Sequence, residues 1–106
     1  MLKFYKTIDG GSMTETEDIE TGCWISAVAP TEAEISKLET ELNIDRDFIR
    51  SALDEEESSR IESEEDHTLI ILDFPVVEKN EADSTFTYST MPMGIIITDT
   101  NVVTVC

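Results

Sequence analysis

Residues 23–75 read CWISAVAPTEAEISKLETELNIDRDFIRSALDEEESSRIESEEDHTLIILDFP, an order of strand, helix, helix, acidic connection and strand. The apolar run from Cys23 to Val28 is strand-like, and Pro30, which lacks an amide donor, stops its ladder. Thr31 precedes Glu34 by three residues, the capping-box spacing in which hydroxyl and carboxylate each satisfy a free backbone amide. A helix is expected from there, with Ile35, Leu38 and Leu42 on one face and Glu32, Glu39 and Glu41 toward water. Asn43 tolerates the left-handed conformation that terminates a helix. Asp45 then caps a shorter second helix whose Phe48, Ile49, Ala52 and Leu53 form another apolar stripe.

Eight carboxylates and one arginine fall between Asp54 and Asp66, a density that repels itself and belongs in an exposed connection or an edge strand. The following His67 to Val77 reads as a central strand buried on both faces, interrupted by Asp73 and ended near Pro75. Upstream, Leu2, Phe4 and Lys6 alternate with Lys3, Tyr5 and Thr7 as in a half-buried strand, and Asp9, Gly10 and Gly11 supply a turn. Residues 12–21 suit an edge strand or a solvated hairpin arm. Downstream, Glu78 to Asp83 reads as a turn, and Thr85 to Thr90 as a strand with Phe86 and Tyr88 on one face. Gly94 to Thr98 and Val102 to Val105 close a hairpin around Asp99, Thr100 and Asn101. The expected fold is a single α/β (α+β) domain over residues 1–106, a mixed sheet of about five to seven strands with two short consecutive helices on one face. The sequence stops at Cys106 inside an apolar strand, so a longer polypeptide is expected.

Twenty-four acidic residues against seven basic give a net charge of −17. Such a field repels phosphate backbones and anionic lipid, which disfavours nucleic acid and direct headgroup binding and favours cations and basic partners. Acidity can equally serve solubility alone. Cys23 and Cys106 are too far apart in sequence to suggest a metal clip or a disulfide framework. The start, MLKFYKTIDGG, lacks the apolar centre of a secretory signal, and no run approaches the roughly 18 apolar residues of a spanning helix. An EF-hand is excluded because DEEESSRIESEED has no central glycine. His67, the only histidine, stands at the mouth of an apolar strand, where packing is a better account of it than acid–base chemistry. Met91, Pro92 and Met93 suit a cap over the end of the sheet. With no phosphate loop, paired-cysteine cluster or serine elbow, an independent enzyme is disfavoured.

The order of these elements resembles the amino-terminal cytoplasmic domain of the CorA family of magnesium and cobalt transporters. Trp24, Ile25, Pro30 and Thr31 match that family's strand, turn and Thr-capped helix. Leu53 followed by Arg60, Ile61 and Glu62 matches the end of its second helix and the next strand. PMGIIITDTNVVTV matches its closing hairpin. The family's Gly-Met-Asn pore tripeptide and membrane helix are not in this sequence. The resemblance implies a regulatory domain of a divalent cation (Mg2+, Co2+) channel, on the cytoplasmic face of the membrane. Its partners would be other subunits of a homopentamer, and Mg2+ would be the regulatory ion held by carboxylates between neighbours. The family's sensing positions fall here on Arg50 and Ser51, neither of which is an anionic ligand, so Asp47, Asp54 and Glu55 are the candidate metal ligands instead. The alternative reading is a free-standing acidic protein-interaction module with no ion dependence.

Overall fold

The computed structural model describes residues 1–106, which form seven strands and two helices. These are β1 (Leu2–Thr7), β2 (Met13–Thr16), β3 (Trp24–Ala27), α1 (Glu32–Leu42), α2 (Arg46–Ala52), β4 (Arg60–Ser63), β5 (His67–Asn80), β6 (Thr85–Thr98) and β7 (Val102–Val105). All seven strands join one sheet in the order β2-β1-β3-β7-β6-β5-β4. The β3–β7 pair is parallel, with Ile25 opposite Val103, and every other pairing is antiparallel. The sheet is therefore mixed, as expected, and both helices lie on one face of it.

Alternation sorts each strand into two sets of side chains. Ile25, Ala27, Leu69, Ile71, Ile96, Val103 and Val105 are buried beneath Ile35, Leu38, Ile44, Phe48, Ile49 and Ala52 of the helical layer. On the opposite face the Tyr5 and Trp24 rings lie 5.0 Å apart, and the Trp24 indole donates to Thr104 Oγ1 at 3.0 Å. Gly94 sits where α2 crosses β6 closely, with Ala52 directly above its Cα.

The helix ends follow their signals. Thr31 and Glu34 form the full capping box, Asn43 is left-handed with φ 54°, and Asp45 accepts from the Asp47 amide at the start of α2. Glu34 also accepts from the Leu2 amide and from the Met1 ammonium, each at 3.0 Å, so one carboxylate ties β1 to α1. The Thr31 amide first, and then the ammonium, hold its pKa below the usual carboxylate value. Because the folded value is the lower one, this contribution is present above the unfolded carboxyl pKa and is lost as pH falls through the folded value. Melting temperature followed by circular dichroism against pH should therefore fall less steeply in acid for Glu34→Gln than for the wild type.

Four expectations are corrected. β5 is not interrupted at Asp73 or ended at Pro75 but runs on to Asn80, and β6 is one continuous strand through Pro92. Pro92 pairs with Asp73 and Pro75 with Thr90, inside the ladder and not over its end. Prolines are tolerated at these places because β4 leaves β5 after Ile71 and β7 leaves β6 before Gly94, so each strand has a free outer edge there. Nor is β5 buried on both faces: only Leu69 and Ile71 are buried, and their alternates are half-exposed. The turn is correspondingly shorter, lying between Asn80 and Thr85.

Candidate functional site

The chain's charge is unevenly compensated. Eight of its 24 acidic residues lie within ion-pair distance of a cation, and sixteen do not. The pairs that exist brace the fold. Arg46 reaches Glu32 at 3.4 Å and Glu39 at 3.5 Å, and Arg50 reaches the same Glu32 at 3.2 Å, which pins α2 against α1. Lys37 bridges Asp18 at 3.0 Å and Glu41 at 3.2 Å, and its pKa is raised, chiefly by the hydrogen bond to Asp18. Arg60 is held by Glu57 and Glu62, with Glu57 the larger cause of its raised pKa.

The uncompensated carboxylates gather where the sequence crosses from α2 to β5. Asp54, Glu55 and Glu56 follow the α2 terminus, and Glu64, Glu65 and Asp66 follow β4, the outermost strand on that side. All six are exposed. Asp54 already accepts from the Glu56 amide at 2.9 Å, which shapes the turn and occupies one of its oxygens. In water these charges are well solvated, and the site is an electrostatic surface, not a cavity.

Asp47, Asp54 and Glu55 are not brought together by the fold of one chain. Asp47 lies in the first turn of α2, while Asp54 and Glu55 lie beyond its last residue, separated by the helix length of about 10 Å. No group of three His, Cys, Asp or Glu side chains is arranged to hold a metal ion. The carboxylate chemistry suits a hard cation, but one chain supplies only part of a coordination shell. Arg50 is engaged with Glu32, and Ser51 is half-buried beside it.

The other residues with chemical potential serve packing. His67 meets Phe48 edge-on with ring centroids 4.8 Å apart, and neither ring nitrogen has a hydrogen-bond partner. The Cys23 thiol is buried and accepts from the Asn101 side-chain amide at 3.2 Å. Asn101 is a residue that sequence reading treated as a turn position, yet it is buried and bonds across from the last hairpin to the residues preceding β3. No helix is long and apolar enough to cross a membrane.

The family model described as CorA-like Mg2+ transporter protein matches residues 20–106. The fold is similar to that of the soluble domain of CorA from Methanocaldococcus jannaschii, with a TM-score of 0.76 and 24% identity over 99% of this chain and 40% of that one. It is also similar to the complete CorA magnesium transporter from the same organism, with a TM-score of 0.73 and 24% identity over 99% of this chain and 32% of that one. The chain thus spans well under half the length of either. No curated protein matches it.

Proposed function

The chain belongs to the family of CorA-like Mg2+ transporter proteins, and on that premise we propose that it is the amino-terminal cytoplasmic domain through which such a transporter senses divalent ions. The CorA family is one of transporters and not of enzymes. The reading is carried by the uncompensated carboxylate rim, where Asp54, Glu55, Glu56, Glu64, Glu65 and Asp66 lie exposed with no ion-pair partner.

Asp54 and Glu55 present oxygens at one end of α2, and Asp47 presents another at the opposite end. Each set is incomplete, so carboxylates of an adjacent subunit in a homopentamer would finish the shell around Mg2+ or Co2+. A cation shared in this way cancels repulsion between two acidic protomers, and its departure restores that repulsion and drives them apart. Conduction itself belongs to membrane segments outside these 106 residues.

A native-state ligand must raise the melting temperature. For a dissociation constant of about 1 mM, about 10 mM Mg2+ stabilises by about 1.4 kcal/mol, and the melting temperature rises by about 6–10 °C. Sodium chloride at the same ionic strength should give a smaller rise through screening alone. The difference should shrink in a D54N/E55Q variant. Equal responses to Mg2+ and Na+ would overturn ion sensing by this domain and favour an acidic interaction module.

A further inference from the structure

We draw no further inference here: the strongest candidate, the apolar face of the sheet turned away from both helices, where Trp24, Val102 and Ile97 stand exposed in register across β3, β7 and β6, carries none because nothing in the structure shows what covers it.

Discussion

Gly94→Ala is expected to destabilise the domain by about 2–3 kcal/mol, lowering its melting temperature by about 10–20 °C. A methyl group built on Gly94 would clash with the Ala52 Cβ and stand 3.4 Å from the Ala52 Cα, with Leu69 Cδ1 at 3.6 Å. The obstacle is therefore a methyl group fixed rigidly to the backbone of α2 and not the end of a flexible side chain, so relief requires the helix to lift from the sheet. Lifting it would loosen Phe48, Ile49 and Ala52 together, because all three are buried in the same layer. Urea unfolding gives the size of the effect. The cause is isolated by a second substitution, Ala52→Gly, which removes the obstructing methyl at a helix cost of about 1 kcal/mol. The double variant should be more stable than Gly94→Ala alone, a favourable coupling between residues in contact. Additive losses would mean that the close crossing of α2 over β6 is not what fixes glycine here.

That crossing marks the boundary of what the sequence made legible. Thr31, Glu34, Asn43 and Asp45 act on amides and carbonyls a few residues away, so the helix limits could be read from them directly. Gly94 carries no such local message: it lies in an ordinary strand, and its need for a bare Cα arises only when α2, some forty residues earlier, is laid on top of it. The same holds for Pro75 and Pro92. A proline reads as the end of a strand because it removes a ladder donor, and only the sheet order reveals that these two stand beside free edges. The parallel pairing of β3 with β7 likewise has no local signal, since it joins Trp24–Ala27 to Val102–Val105 across nearly the whole chain. The acidic rim was legible as composition and as an exposed connection. Its division into braced and uncompensated carboxylates was not, because Arg46, Arg50 and Lys37 choose partners through tertiary contacts.

Asn101 offers the sharpest test of how that parallel pair is fixed. Its side-chain amide donates to the Glu20 carbonyl at 2.8 Å, the Cys23 carbonyl at 3.1 Å and the Cys23 sulfur at 3.2 Å, while its own carbonyl oxygen accepts from the Thr100 hydroxyl at 2.7 Å. The residue is only 5% exposed. It therefore fastens the turn that starts β7 to the backbone that leads into β3, beside the single main-chain bond from the Gly22 amide to the Thr100 carbonyl at 2.7 Å. Asn101→Ala should cost about 2–3 kcal/mol, because acceptors already withdrawn from water lose their donor. Asn101→Asp keeps the shape and should cost more, since it sets a carboxylate against two carbonyl oxygens and a sulfur in a poorly solvated place. Lowering the pH should recover part of the aspartate loss, as protonation removes the charge and returns one donor, whereas the alanine loss should not respond in that way. Chemical denaturation of both variants at neutral and acid pH provides the comparison. An aspartate variant as stable as the wild type would mean that the amide points the other way, with its oxygen and not its nitrogen toward Cys23.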